Sequence, residues 1–222
     1  YHDIVAREWK SFTDTRFATE VAERIQFGCV SESIKLAKER GAYPLFAGSE
    51  WDNGNIFNNY VNNSVCSDLD WHKQYIDCQR YGIRNSQLTS PAPNTSTSLF
   101  MDAAAGATPV YGAFFYEDNS TGKTPVSGMF LQSNPLSYSR TIGTYKADKL
   151  VPTIAAMQKF VDTGISAEFL FDRNLHDITA QWVWDLYERA WQEGMKAVYY
   201  LRIIKVGESL VEEPEICASC SG

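Results

Sequence analysis

Apolar residues return at Phe17, Val21, Ile25, Val30, Ile34 and Ala37, close to the 3.6-residue period of a helix face. The pattern predicts a helix over residues 17–40, with Thr13 and Asp14 as candidate caps and Gly41 as its stop. Residues 41–67 lose that period, are rich in Asn, Gly and Ser, and read as loop. A short helix is predicted over 68–81, capped by Asp68 and ended by Gly82. Residues 84–93 read as extended, punctuated by Pro91 and Pro93. From Asn94 a run of hydroxyls passes into helix formers up to Gly106, with Asn94 or Thr95 as N-cap. Residues 107–147 read as short strands and turns, one turn over 119–123 and one at Asn134-Pro135.

The last third alternates between the two periods. Residues 148–162 read as a helix followed by Gly164, and 165–171 as an apolar strand. Residues 177–193 read as a helix capped by Asp177 and stopped by Gly194, and 195–204 (MKAVYYLRII) as a continuous β-type run. Strand, helix, strand is a βαβ unit, and its apolar strands suit a buried parallel sheet, so the fold class is α/β. Beyond Ile204, Lys205 stands alone against Glu208, Glu212, Glu213 and Glu215. The domain reading is a folded part over 1–204 and a flexible, solvated acidic tail over 205–222.

Composition narrows the classes. With 222 residues, 44% of them hydrophobic, the chain buries a core of about one domain. No window approaches eighteen apolar residues, which argues against a membrane span. A net charge of −7 without a Lys/Arg cluster argues against nucleic acid. Tyr1 is not followed by a basic and then an apolar stretch, so no signal peptide is legible. The odd count of five cysteines predicts reduced thiols and a cytoplasmic setting.

Cys29 and Cys78 fall in helical patterns and read as small buried hydrophobes; Cys66, in a polar stretch, carries little. Cys217 and Cys220 form a C-x-x-C pair at the acidic end. Three readings stay open for it. Zinc needs two more ligands, and His2, His72 and His176 are isolated. Thiol–disulfide exchange suits a close dithiol on a mobile tail. The thiols can also be incidental.

Pro93, Asn94, Thr95, Ser96, Thr97 and Ser98 place four consecutive hydroxyls at a predicted helix start. Orphan N–H groups and a partial positive charge there suit phosphate, although plain capping explains the same pattern. No Walker A loop is present. Tyr199 and Tyr200 sit in the last strand, where neighbours point to opposite faces; ordinary β-formers would read alike. Trp182, Trp184 and Trp191 read as packing, and the sequons at Asn62, Asn94 and Asn119 as chance.

The order of these features resembles the C-terminal portion of the catalytic large subunit of class I ribonucleotide reductase. The matching blocks are residues 36–46 (LAKERGAYPLF), 81–88 (YGIRNSQL), 93–98 (PNTSTS), 157–167 (MQKFVDTGISA), 196–201 (KAVYYL) and the terminal dithiol at 217–220. They run from about residue 30 to the end of the chain. The resemblance implies part of a ten-stranded α/β barrel. It implies that residues 93–98 cradle the diphosphate of a ribonucleotide. Tyr199 and Tyr200 would relay a radical from a small, metal-containing subunit to an active-site cysteine. Cys217 and Cys220 would re-reduce the active-site disulfide and be reduced in turn by thioredoxin or glutaredoxin.

The departures define the expectation further. The thiyl-forming cysteine of the family lies in Asn-x-Cys-x-Glu, a string absent here; the surroundings of Cys29 and Cys66 do not fit it. Thr95 stands where many relatives carry an acidic residue. The expectation is therefore one piece of a split large subunit, completed by a chain that brings the catalytic cysteine, with no metal or cofactor bound by this chain. The start at Tyr1 fits a break in a larger enzyme. The alternatives are a non-catalytic remnant binding a nucleotide or the radical subunit, a cobalamin-dependent relative, against which the tyrosine pair argues, and a free-standing dithiol oxidoreductase.

Overall fold

The computed structural model describes residues 1–119, 122–141, 145–172 and 178–204. The acidic stretch from Lys205, with Cys217 and Cys220, lies outside the described residues, as does Asp177. Helix α1 (His2–Arg7), legible in no pattern, precedes α2 (Thr15–Arg40). The Asp14 carboxylate caps α2, accepting from Phe17 N–H at 3.0 Å, as Ser/Asp-type N-caps do.

The buried stripe of α2 departs from the apolar pattern. It runs through Ala18, Ala22, Glu23, Gln26, Val30, Ser33, Ile34 and Ala37, while Ile25 is 53% exposed. The first half of the helix is thus rotated by about one residue. Glu23 and Gln26 can face inward because each is fully hydrogen-bonded there, which removes most of the burial penalty.

Helix α3 (Asn55–Asn63) occupies the predicted loop. Its inward face is only Phe57 and Tyr60, and asparagines fill the outer face, so the period is faint. Helix α4 (Trp71–Tyr81) is capped by Asp70, which accepts from Lys73 N–H at 2.9 Å. Asp68, the expected cap, instead pairs with Arg24 at 2.8 Å. Gly82 ends α4 with φ +73°, and a Cβ there would come within 2.5 Å of the Ala42 Cβ.

Residues 84–91 form an extended strap. Arg84 N–H donates to Ser33 O, Trp51 Nε1 to Ser86 O, and Ser166 N–H to Pro91 O. The strap runs into α5 (Thr95–Met101), which stops well short of Gly106 because Asp102 turns left-handed, φ 48° and ψ 49°. Strands β1 (Phe114–Asn119) and β2 (Gly122–Ser127) pair antiparallel, with Asn119 opposite Gly122. Residues 120 and 121, the middle of the turn read over 119–123, lie outside the described residues. A short 3-10 turn, Pro135–Ser139, follows Asn134, whose side chain accepts from Ser137 N–H.

Helix α6 (Ala147–Gln158) ends four residues earlier than its apolar run. Gln158 makes the stop: its Nε2 donates to Val161 O and Thr163 O, and its Oε1 accepts from Ile165 N–H. Then come β3 (Glu168–Asp172), α7 (Ala180–Gln192) and β4 (Tyr200–Ile204). Thr179 caps α7, accepting from Trp182 N–H at 3.1 Å. β3 and β4 pair in parallel, Glu168 beside Tyr200, so the predicted βαβ unit is present.

The core gathers where α2, α4 and α6 meet. Tyr60 stacks on Phe160 with centroids 5.4 Å apart, and Trp71 packs beside both. Leu150, Val151 and Ile154 of α6 are fully enclosed. Among the described residues the sheets are two two-stranded ones; they do not close into the ten-stranded barrel that the resemblance implies.

Candidate functional site

Two of the predicted groups are tied to the segment that leads into β3. The strap is fixed to the segment before β3 by Thr163 and Ser166, whose N–H groups donate to Thr89 O and Pro91 O. One residue further, Ala167 O accepts from Tyr199 N–H at 2.9 Å. The strap that leads into residues 93–98, and Tyr199 a hundred positions further along the sequence, are therefore held by adjacent residues, Ser166 and Ala167, of a single segment.

Pro93, Asn94, Thr95, Ser96 and Thr97 are exposed, and Ser98 is half-buried. Asn94 holds the N-cap position, but its Nδ2 donates to Ala92 O at 3.0 Å and its side chain does not cap the helix. The first intrahelical bond is Ser98 N–H to Asn94 O, 2.8 Å. Helix geometry leaves the N–H groups before it unsatisfied within the helix. Ser98 Oγ folds back onto Thr95 O at 2.7 Å, which leaves Thr95, Ser96 and Thr97 as the outward hydroxyls. Phe100 and Met101, 92% and 66% exposed, follow directly.

Tyr199 precedes the first residue of β4, and this changes the geometry expected of a regular strand. The Tyr199 and Tyr200 rings do not part to opposite faces: their centroids are 4.1 Å apart and their planes inclined at 50°. Beside Tyr200, Glu168 accepts from the Tyr111 hydroxyl. Tyr199 is about half exposed and Tyr200 partly buried.

Burial disfavours the thiolate at all three described cysteines. Burial, aided by Glu23, pushes the Cys66 thiol up to about 12, and burial beside Asp52 does the same for Cys78. Cys29 is only half-buried, less enclosed than its helical pattern predicts, and burial raises its thiol too. A raised thiol is a poor thiolate. Among the described residues no group of three or more His, Cys, Asp or Glu side chains could hold a metal ion, and no helix is long and apolar enough to cross a membrane.

Of the tryptophans read as packing, Trp182 does pack, edge-on to Phe171 at 4.8 Å. Trp184 and Trp191 do not; they are 67% and 75% exposed on α7.

Sequence reasoning missed the polar network behind the site. Asp162 Oδ1 accepts from Gln26 Nε2 at 2.7 Å and from the Tyr60 hydroxyl at 3.2 Å. Its Oδ2 accepts from Leu88 N–H at 2.6 Å. Glu23, fully enclosed, accepts from Ser64 Oγ, Val65 N–H, Cys66 N–H and Trp71 Nε1. The available clue was the spacing of Gln26 and Glu23, four and seven residues before Val30, in line with Ile34 and Ala37. An open groove of about 770 Å³ lies next to the network, lined in part by Trp51, Asn59, Tyr60, Asp162 and Lys196. It includes neither residues 93–98 nor Tyr199 and Tyr200.

Comparison with known proteins shows the family. The family model described as the ribonucleotide reductase barrel domain matches residues 4–201. Among similar proteins are ribonucleoside-diphosphate reductase alpha subunits of Synechocystis, 32% identical across 99% of this chain and 30% of the relative, and of Treponema pallidum, 28% identical across 100% and 25%. That of Enterobacteria phage T4 is 26% identical across 90% of this chain and 28% of the relative. The chain thus spans between a quarter and a third of the length of these relatives. With nearly its whole described length matched, the chain belongs to the ribonucleotide reductase barrel-domain family.

Proposed function

We propose that this chain is the C-terminal part of a class I ribonucleoside-diphosphate reductase large subunit, working in the cytoplasm. A second chain carrying the Asn-x-Cys-x-Glu segment completes its α/β barrel. The observation that carries the reading is the anchorage of Pro91, two residues before the 93–98 segment, and of Tyr199 to neighbouring residues, Ser166 and Ala167. A diphosphate held at residues 93–98 is thereby kept at a fixed height relative to Tyr199.

In this reading Pro93, Asn94, Thr95, Ser96, Thr97 and Ser98 receive the diphosphate through backbone N–H groups and hydroxyls. Tyr199 and Tyr200 pass oxidation inward from the radical-generating small subunit: each phenol gives up an electron and a proton and regains both from the next group. Rings 4.1 Å apart suit such a transfer. The last group is a cysteine thiol of the completing chain, whose thiyl radical takes the ribose 3′ hydrogen. The disulfide formed on that chain is reduced by exchange with Cys217 and Cys220, whose own disulfide thioredoxin or glutaredoxin reduces. The metal centre belongs to the small subunit.

The apolar surface left open at Phe100 and Met101 supports completion by another chain. Co-expression with a chain containing Asn-x-Cys-x-Glu is expected to give ribonucleoside diphosphate reduction that this chain alone lacks. A monomer fully active by itself overturns the split. A complex that binds the small subunit but never turns over points to the remnant.

A further inference from the structure

Asp162 belongs neither to residues 93–98 nor to the tyrosine pair, yet it joins the segments that carry them. Its Oδ2 accepts from the consecutive amides of Leu88, at 2.6 Å, and Thr89, at 3.4 Å. In return the Asp162 N–H donates to Thr89 Oγ1 at 3.2 Å, and that hydroxyl donates to Gln26 Oε1 at 2.9 Å. Gln26 Nε2 closes the ring on Asp162 Oδ1. Two chain segments are thus locked in both directions, with both carboxylate oxygens occupied.

The lock fixes register. Slippage of the strap by one residue would break the reciprocal Asp162–Thr89 pair and turn every following side chain to the other face. Residues 93–98 begin four positions beyond Thr89, with no other side-chain carboxylate holding the strap's amides among the described residues. On the other side, 163–167 continue from Asp162 to the residue that holds Tyr199.

We propose that Asp162 is a positioning residue for diphosphate binding: through Leu88 and Thr89 it sets the height of residues 93–98 against Tyr199 and Tyr200. The inference rests on the reading of residues 93–98 as a diphosphate site. Charge-assisted bonds from a carboxylate to backbone N–H groups are among the stronger ones. Asp162→Asn keeps the shape but turns an acceptor into a donor that faces donors.

The test uses the complex of this chain with its completing chain and the small subunit, with CDP as substrate. Asp162→Asn is expected to raise KM about tenfold, as loss of one to two such bonds implies, with kcat changed far less. Thr89→Val, which removes the reciprocal hydroxyl, is expected to shift KM in the same direction and serves if Asp162→Asn does not assemble. Glu23→Gln, at a more deeply buried carboxylate that pins residues 64–66 and not the strap, is the stability control and leaves KM unchanged. Wild-type KM in both Asp162→Asn and Thr89→Val, or an equal shift in Glu23→Gln, overturns the positioning role alone. A wild-type complex whose rate does not depend saturably on CDP overturns the diphosphate site and the positioning role together.

Discussion

The Tyr199 and Tyr200 rings face each other with centroids 4.1 Å apart, because Tyr199 lies just outside β4 and is held by Ala167 O instead of by strand pairing. In a regular strand the two would diverge. Phenylalanine at either position keeps the ring but has no O–H to lose. Tyr199→Phe and Tyr200→Phe are each expected to abolish turnover of the completed enzyme and to leave CDP affinity intact. Because Tyr199 is about half exposed, its substitution is expected to move unfolding by no more than about 0.5 kcal/mol. Activity, binding and a denaturant curve on the same variants check this.

Ser96→Glu separates capping from phosphate binding. An acidic side chain in the first turn of α5 favours the helix dipole, by about 0.3–1 kcal/mol, and Ser96 is exposed, so stability is expected to hold or rise. The same charge repels a diphosphate, so CDP binding is expected to fall steeply. Unchanged CDP affinity would mean that residues 93–98 only start a helix.

Glu23 holds four donors without a cation among its bonded partners. Burial acts to raise its carboxyl, but the bonds from Ser64, Val65, Trp71 and Cys66 outweigh it, and the group sits below its ordinary 4.5. A depressed folded value means that its contribution is present above pH 4.5 and is lost as pH falls through the folded value. Glu23→Ala leaves buried donors unpaired and is expected to cost about 3 kcal/mol or more. Urea unfolding at neutral pH measures it.

His2 sets a second acid limit at higher pH. Its Nδ1 accepts from Val110 N–H at 3.1 Å, which assigns the proton to Nε2, the atom 2.9 Å from Ser137 O. Burial lowers the ring below its ordinary 6.5. The neutral ring's contribution is full above 6.5 and is lost as pH falls from there through the folded value. Thermal midpoints measured from pH 7.5 to 5 are expected to decline, and His2→Gln is expected to flatten that part of the curve.

Gly82→Ala is expected to destabilise by at least about 1 kcal/mol. The backbone has φ +73°, and the new methyl would meet Ala42 Cβ at 2.5 Å. Gly41→Ala, with φ +81° but nothing within 4 Å, carries only the backbone part of that cost. The difference between the two unfolding midpoints isolates the contact.

Local patterning made much of the scaffold legible. The cap at Asp14, the stops at Gly41 and Gly82 and the elements of the βαβ unit depend on neighbours within a few residues, where propensity and period act. The 93–98 segment and the tyrosine pair were likewise visible as composition, without the geometry that relates them. Tertiary structure decided the rest. It turned Glu23 and Gln26 inward and Ile25 outward, because hydrogen-bond partners from α3, the strap and the segment after α6 make buried polar groups tolerable. It drew Asp68 away into its pair with Arg24, which leaves Asp70 to cap α4. It also brought Pro91, Ser166, Ala167 and Tyr199 into one line of hydrogen bonds. Such contacts join residues from about thirty to well over a hundred positions apart, and no local period encodes which distant donor meets which acceptor.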